Sequence, residues 1–369
     1  MNASVLLISP DPEQRRAWRV ALYQDGLAAS EFASFGEARA ALEHDTVVVV
    51  AIDAAQQVDQ LQPGHDALGA GIAVAVADSA PIAAAALRAG VDCLLASDPL
   101  FDVALRQRVT SEINLLTTRR QLADAQLRMQ RALREVGLAA QTQSRFRPVS
   151  PFVSGGIVAQ HRVVAAGQLS GDCVDYFRLA DGRFVFYVAD VAGHGLSAAL
   201  LTPLLKSFSL QLARGLEHTA LSTLIANFGA DVAALKCGKH VTLFAGIVSA
   251  DETTLRFCSA GHAPPPMLSG AGETKLLTGS GKPLGLFADA HYVESEVPLP
   301  AEFTLAAFSD GVLDLVPGAD LSSRHVGLVE LLRDTGNNLE ALAQRLGLVD
   351  GREFRDDIEC LLLHRGAPQ

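Results

Sequence analysis

The sequence has few lysines and no basic block. The first of its five lysines is Lys206, and its 41 acidic residues outnumber its 30 basic residues, which gives a net charge of −11. Proteins that bind nucleic acids, or the anionic surface of a membrane, generally do so through clustered Lys and Arg side chains. The composition therefore predicts neither nucleic acid nor membrane as a partner.

Cysteines are also scarce, and none lies at the CxxC spacing of a metal site. The chain has five of them in 369 residues, an odd number. This indicates reduced thiols and excludes a disulfide framework or a zinc site. The first residues do not show the basic region followed by an apolar region that is typical of a signal peptide. No apolar run approaches the roughly 20 residues that span a bilayer. We therefore expect a cytoplasmic protein.

The length predicts about two domains, and the first hundred residues have the pattern of an α/β fold. Apolar runs predict strands, whereas helical periodicity falls between them. The predicted strands are 4–8, 46–52, 72–77 and 91–96, and the predicted helices are 12–24, 37–43 and 80–89. Continuous apolar strands that alternate with helices are typical of a parallel sheet covered on both faces. Residues 1–103 are predicted to form a doubly wound domain of about five strands.

A helical connector is predicted over residues 104–147, because only Gly137 interrupts a long helical stretch. Apolar residues recur there every seven positions, with small residues at matching second positions. The two series are Leu115, Leu122, Met129 and Val136, and Thr118, Ala125, Ala132 and Ala139. Such heptads favour a coiled coil that joins two copies of the chain. A single helix packed on its own domain is the alternative.

From residue 148 the strands alternate apolar and polar residues or pair as hairpins, which predicts an α+β layered domain over 148–369. The predicted strands are 183–189, 241–249, 254–260, 303–308 and 358–364, and the predicted helices are 195–214, 218–235 and 325–346. Pro203 should kink the first of these helices or delay its start.

Aspartates in this second domain stand where apolar strands begin or end. Asp190 and Asp310 each follow a strand, Asp356 and Asp357 precede one, and Asp172 lies in a Ser-Gly-Asp segment. Carboxylates that converge at one sheet edge repel one another, and a bound divalent cation removes that penalty. All candidate ligands are oxygens, which favours Mg²⁺ or Mn²⁺.

The ordered motifs resemble the SpoIIE-type metal-dependent protein phosphatases, bacterial relatives of protein phosphatase 2C. The matching segments are Ser-Gly-Asp172, Ala-Asp190-Val-Ala-Gly-His-Gly, Ala-Gly-His262-Ala-Pro, Gly-Lys-Pro-Leu-Gly285, Ser-Asp310-Gly and Arg-Asp356-Asp357-Ile. The resemblance implies a β-sandwich flanked by helices, with two Mn²⁺ or Mg²⁺ ions. It also implies hydrolysis of phosphoserine or phosphothreonine by a water that the ions activate.

Carried over by position, the resemblance implies that Asp190 bridges both ions with help from the backbone carbonyl of Val191. Asp172 would hold one ion, and Asp310 and Asp356 the other. His194 and His262 match the motifs, but we assign them no chemistry. No clear phosphate-binding arginine is found, since Arg162 and Arg178 are near the motifs only in sequence.

The first domain resembles a response-regulator receiver in the order of its elements and in its Ile-Ser-Pro-Asp start. It departs from that family where the chemistry lies. Only Asp11 stands where an acidic pair is expected, Asp53 is about two residues later than the phospho-accepting position, and the expected Lys before the last Pro is missing. An aspartyl phosphate would lack charge compensation here. We predict a pseudo-receiver that is not phosphorylated.

Together these patterns predict a homodimeric protein serine/threonine phosphatase that is controlled through its pseudo-receiver. The resemblance implies a small phosphorylated regulator as substrate, namely an anti-sigma-factor antagonist. The alternative is a non-catalytic adaptor that binds a sigma factor or its regulator. A nucleotide-processing enzyme is a third hypothesis, but no GxxxxGK[ST] phosphate loop supports it.

Overall fold

The chain forms two compact units, residues 1–132 and 133–369. The boundary falls inside one long helix, where the sequence predicted a connector between separate domains. The computed structural model describes residues 4–41, 46–52, 72–77, 81, 84–85, 93–95, 101–287, 289–336, 338–348 and 352–366.

The first unit contains a five-stranded parallel sheet with the strand order β2-β1-β3-β4-β5. Its elements are β1 (Ser4–Ile8), α1 (Pro12–Tyr23), β2 (Ala29–Phe32), α2 (Phe35–Ala38), a 3₁₀ turn (Arg39–Ala41), β3 (Thr46–Ile52), β4 (Ile72–Ala77) and β5 (Cys93–Leu95). This is one of the common orders of doubly wound folds. Strand β2 was not predicted, because Ala-Ser-Glu-Phe lacks an apolar run.

Trp18 and Leu22 of α1 pack on the strands to form the core of this unit, together with buried side chains from the start of the long helix α3 (Phe101–Ser144). Asp11, the single acid after β1, caps α1 by accepting a hydrogen bond of 2.9 Å from the Glu13 backbone N–H. Asp53, proposed as the degenerate phospho-accepting position, lies outside the described residues.

Helix α3 exposes three of the four apolar heptad residues, and the fourth, Val136, is half-buried. The side chains of Leu115, Leu122 and Met129 are 42%, 59% and 64% exposed. On the same helix, Leu105, Val109 and Leu116 are buried in the core of the first unit. The helix therefore packs one set of positions in the first unit and leaves Leu115, Leu122 and Met129 exposed in the single chain.

The second unit is a sandwich of two antiparallel sheets with helices on both outer faces. The strand orders are β14-β11-β10-β9-β8 and β13-β12-β15-β16-β7-β6. The strands are β6 (Phe152–Ser154), β7 (Ile157–Val164), β8 (Cys173–Arg178), β9 (Phe184–Val191), β10 (Val241–Val248), β11 (Thr254–Ala260), β12 (Met267–Gly270), β13 (Glu273–Leu276), β14 (Ser295–Pro298), β15 (Phe303–Phe308) and β16 (Ile358–Arg365). The helices are α4 (Leu196–Ala199), α5 (Thr202–Gly215), α6 (Leu221–Ala234), α7 (Leu321–Thr335) and α8 (Leu339–Leu346), with a 3₁₀ turn at Asp310–Asp314.

Alternation along the strands produces the layers of the sandwich, since successive side chains of a strand point to opposite faces. In β9, Phe184, Phe186 and Val188 lie in the core between the sheets. Val185, Tyr187, Ala189 and Val191 pack instead against α4, α5 and α6 on the outer face. The other sheet packs in the same way on α7 and α8.

Two predicted helices are each broken into two. The stretch predicted at 195–214 forms α4 and α5, and Pro203 lies in the first turn of α5, where a proline costs no hydrogen bond. The stretch predicted at 325–346 forms α7 and α8, separated at Gly336, whose φ is +59°. Residues Leu196–Gly215 are apolar and long enough to cross a membrane by composition, yet 44% of that window is buried within the protein. Leu205, Phe208 and Leu212 belong to the core of the second unit, as expected for a core helix.

His161 on β7 is a half-buried neutral histidine, and this predicts a pH-dependent stability. Its Nδ1 lies 2.9 Å from the hydroxyl of Tyr176, which donates its own proton to the Val149 carbonyl at 2.8 Å, so Nδ1 carries a proton. Burial and, to a lesser extent, the charge of Arg147 lower the pKa of His161 to about 4, against the opposing charge of Asp175.

When the pKa of a histidine is lower in the folded state than in the unfolded state, protonation favours the unfolded state. The fold is therefore most stable above the unfolded pKa of about 6.5, and it loses stability as the pH falls below that value. Between pH 7.5 and pH 5, His161 should cost the fold about 2 kcal/mol. We expect His161→Asn to lose that much less stability over this interval in urea unfolding. Acidic groups contribute equally to both proteins, so parallel curves for parent and variant would contradict the prediction.

Candidate active site

Four aspartates lie at one end of the sandwich, each held by a strand end. Asp190 is the penultimate residue of β9 and alternates with Phe186 and Val188, so its side chain faces the space between the sheets. Asp172 directly precedes β8, the neighbour of β9. Asp310 begins the 3₁₀ turn after β15, and Asp356 lies two residues before β16, which pairs with β15. The fold therefore gathers side chains that are 184 residues apart in sequence.

Asp172 is buried, and negative charges surround it. The side chain is 5% exposed, and its Oδ2 has no hydrogen-bond partner. Burial and the carboxylates of Glu359, Asp190 and Asp357 raise the pKa of Asp172 well above its ordinary value, and the Ser309 hydroxyl opposes them in part. An unpartnered carboxylate oxygen in such surroundings is costly unless a cation meets it.

Asp190 and Asp310 are subject to the same repulsion. Burial, followed by the charges of Asp310 and Asp356, raises the pKa of Asp190 to about 7, although a hydrogen bond with Asp172 works against the rise. Burial and the charge of Asp356 raise the pKa of Asp310. The four aspartates thus form one electrostatically coupled cluster.

The cluster fits hard divalent cations by its chemistry. All of its side-chain donors are oxygens, and the carboxylates crowd one another in a way that positive charge would relieve. Within the described part of the chain, no three His, Cys, Asp or Glu side chains are already arranged around one ion. Ion binding would therefore require the carboxylates to draw closer together.

Asp357 positions the loop that carries Asp172. One of its oxygens accepts a hydrogen bond from the Ala166 N–H at 2.8 Å, and the other accepts from the Gly171 N–H at 2.6 Å. Gly171 lies so close to the turn after β9 that an added Cβ would stand 3.3 Å from the carbonyl oxygen of Val191. The loop of Asp172 is therefore fixed from β16 on one side and packed against the Val191 carbonyl on the other.

The last turn of α3 supports the same loop. The Gln143 amide is buried, donates to the Ser170 carbonyl at 2.6 Å and accepts from the Ser170 N–H at 3.1 Å. It also donates to the Thr202 hydroxyl at 3.1 Å. The Ser170 hydroxyl in turn accepts from the Asp172 N–H at 3.1 Å. A single residue, Ser170, thus links the end of α3 to Asp172 through hydrogen bonds.

The remaining predicted residues have other surroundings. His194 is exposed, whereas His262 is buried and its pKa is lowered to about 4 by burial. Arg162 bonds to Glu340 and to the Leu348 carbonyl, and Arg178 bonds to Ser154, Gly182 and Glu252. These bonds give both arginines a bracing role in the fold.

A cleft of about 190 Å³ borders the aspartate cluster. Its lining includes Gly311, Asp314, Arg352, Arg355 and Asp356. Arg355 is exposed and is the residue immediately before Asp356. The cleft places two arginines next to the acidic cluster, together with the acids Asp314 and Glu353. Arg355 stands in the Arg-Asp356-Asp357-Ile segment, but that segment carries no local sign of a cleft.

The comparisons with known proteins agree with this architecture. A family model described as Stage II sporulation protein E (SpoIIE) matches residues 180–366, which is 187 of the 369 residues. The match includes Asp190, Asp310 and Asp356, and Asp172 lies just before it. Phosphoserine phosphatase RsbP of Bacillus subtilis (strain 168) is 27% identical over 187 residues, which cover 49% of this chain and 45% of RsbP.

Two solved structures resemble the chain in fold. The PP2C domain of SiaA from Pseudomonas aeruginosa has a TM-score of 0.53 at 22% identity, with 65% of this chain and 98% of that one covered. The RsbU and RsbW domains of Rv1364c from Mycobacterium tuberculosis give 0.50 at 22% identity, with 60% and 62% covered. The chain spans less than half the length of the curated relatives it matches.

Proposed function

Because the chain belongs to the SpoIIE family, we propose that it is a metal-dependent protein phosphatase that hydrolyses phosphoserine or phosphothreonine on a regulatory protein. The observation that carries the proposal is the cluster of Asp172, Asp190, Asp310 and Asp356, in which burial and mutual repulsion create a demand for positive charge. A scaffold has no need of such a cluster, and its electrostatic cost would otherwise destabilise the fold.

Two Mn²⁺ or Mg²⁺ ions fit this donor set. Asp190 and the Val191 carbonyl would hold both ions, Asp172 one of them, and Asp310 with Asp356 the other. When bound, such a pair of ions lowers the pKa of a water molecule and neutralises charge on a phosphoryl group. The protein contributes the positions of the ligands, since Asp357 and Gln143 fix the loop of Asp172 through buried hydrogen bonds.

The proposed substrate is the phosphorylated form of an anti-sigma-factor antagonist. Support comes from the family and from the similarity to RsbP, which is named a phosphoserine phosphatase. The cleft beside Asp356 is lined by Arg352 and Arg355, which would meet a phosphate there, and by the acids Asp314 and Glu353. A cytoplasmic location follows from this choice of substrate.

We further propose that the first unit, as a pseudo-receiver, and helix α3 control this activity in a homodimer. Exposed Leu115, Leu122 and Met129 supply the apolar seam that a second copy would cover. Light scattering of the full chain checks this point, and replacement of all three by Glu should yield a monomer. A parent chain that is monomeric at micromolar concentration would contradict it.

The phosphatase proposal predicts hydrolysis of p-nitrophenyl phosphate and of a phosphoserine protein only when Mn²⁺ or Mg²⁺ is present. A chelator should reduce turnover to the rate of the uncatalysed reaction, and an excess of Mn²⁺ should restore it. Full activity in the chelator would refute the role of metal. Absence of hydrolysis under all metal conditions, combined with stoichiometric binding of the regulator, would favour the adaptor instead.

A further inference from the structure

Glu359 is a carboxylic acid in the interior of the second unit that forms no hydrogen bond through its side chain. It is 0% exposed, and both Oε1 and Oε2 have no hydrogen-bond partner. A buried carboxyl group without partners is costly in either protonation state, and far more so when charged. A residue with this cost calls for a role beyond packing.

The strand places Glu359 on the side of β16 that faces between the two sheets. Leu361 and Leu363, at the same alternation, lie in the core between the sheets, whereas Cys360 and Leu362 pack on the helical layer. Asp190 faces the same space from β9, on the opposite sheet. Strands β8 and β16 also contact each other across the sandwich. The Gly171 N–H, just before β8, donates to the carboxylate of Asp357, just before β16, at 2.6 Å.

Electrostatics indicate that Glu359 and the aspartates are neighbours. Glu359 is the charged group that contributes most to the raised pKa of Asp172, ahead of Asp190. Burial raises the pKa of Glu359 in turn, the charge of Arg147 opposes this rise, and the charges of Asp190 and Asp357 add to it. Asp172 Oδ2 also has no partner. Two carboxyl groups from different sheets thus present three unpartnered buried oxygens in the same region.

We propose that Glu359 is an additional carboxylate of the metal site, which binds a divalent cation from the buried side, together with Asp172. The inference rests on the metal-dependent function proposed above and adds a residue that the resemblance does not assign. An ion held between Asp172 and Glu359 would satisfy oxygens that the protein alone leaves without partners. It would also make the affinity for the cation depend on a residue inside the sandwich.

The test compares Mn²⁺ binding by the full chain and its Glu359→Gln variant in isothermal titration calorimetry. The amide has the shape of the carboxyl group but no negative charge. Outer partners of metal ligands already change affinity by about 10-fold to 100-fold, so loss of a direct ligand should weaken binding by at least about 10-fold. Glu330→Gln, which removes an exposed charge from α7, serves as the matched control and should bind Mn²⁺ like the parent.

Thermal unfolding supplies a second measurement, in which a metal ligand and a purely structural residue give different patterns of melting temperature. Without metal, Glu359→Gln should melt no lower than the parent, because it removes a group that repels its neighbours. With saturating Mn²⁺, its melting temperature should rise less than that of the parent. A structural residue would instead lower both melting temperatures together.

Each result decides the inference. Parental Mn²⁺ affinity in a folded Glu359→Gln variant overturns it. If that variant does not fold, Glu359→Asp replaces it, since it keeps the charge but withdraws it by one methylene. Weaker binding then supports the inference and parental binding overturns it. A parent chain that binds no Mn²⁺ would instead refute the proposed function. If Asp190→Asn loses Mn²⁺ binding while Glu359→Gln keeps it, only the role of Glu359 is refuted.

Discussion

Replacement of Asp190 by Asn should reduce phosphoserine hydrolysis by roughly 1000-fold or more, equivalent to about 4 kcal/mol of transition-state stabilisation. Asp190 is the central member of the cluster, because its pKa responds to Asp310 and Asp356 and it forms a hydrogen bond with Asp172. The amide keeps the shape but cannot supply the negative charge that both ions would share. Steady-state kinetics with saturating Mn²⁺ measures the loss.

The fold should survive this change, which separates catalysis from stability. Asn removes a negative charge from a repelling group, so the metal-free variant should unfold at no lower urea concentration than the parent. Asp231→Asn, on the exposed face of α6, is the matched control and should retain parental turnover. Turnover within threefold of the parent in a folded Asp190→Asn protein would remove the basis for the metal assignment.

A second large effect is expected from Gly311→Ala. Gly311 follows Asp310 in the 3₁₀ turn, and an added Cβ there would overlap the backbone carbonyl oxygen of Asp357. The backbone on each side carries a proposed ligand, Asp310 on one and Asp356 on the other. Relief of the overlap must therefore separate these two aspartates. We expect a loss of about 1–3 kcal/mol in unfolding free energy together with a fall in turnover of at least about tenfold.

Gly137→Ala should change the stability in the opposite direction, and it therefore serves as the control for a glycine-to-alanine substitution. Gly137 lies within α3, where the nearest atom to an added Cβ is Gln168 Oε1 at 3.8 Å. Alanine is the better helix former by up to about 1 kcal/mol, so this variant should be more stable than the parent. Urea unfolding and kinetics of both variants test the pair. If Gly311→Ala kept parental stability and turnover, the contact with Asp357 would have no importance for the site.

The sequence predicted those elements whose burial is uniform. Strands β1, β3 and β4 have the predicted bounds, and in β3 the consecutive valines Val47, Val48, Val49 and Val50 are buried on both faces. Strand β7, with the sequence Ile-Val-Ala-Gln-His-Arg-Val-Val, was missed, since polar residues interrupt its pattern where tertiary contacts supply partners. His161, for example, is satisfied by Tyr176, which is 15 residues away.

The candidate site was predictable to the extent that its residues stand at strand ends in recognisable motifs. The groups around it were not. Asp357 was noted only as the neighbour of Asp356, because its two amide partners lie 186 and 191 residues earlier in the chain. Glu359 occupies an ordinary strand position, and its lack of partners is visible only when both sheets are in place. Long-range pairing of this kind leaves no local signal.

The hydrogen bonds of Gln143 have a practical consequence for dissecting the protein into fragments. A fragment cut at the predicted boundary, residue 148, would discard Gln143 and leave the Ser170 carbonyl and amide without their buried partner. Expression of residues 133–369 keeps this clamp, because the compact second unit begins at Leu133. Weak activity in the shorter fragment would thus reflect a missing helical turn and not a missing regulatory domain.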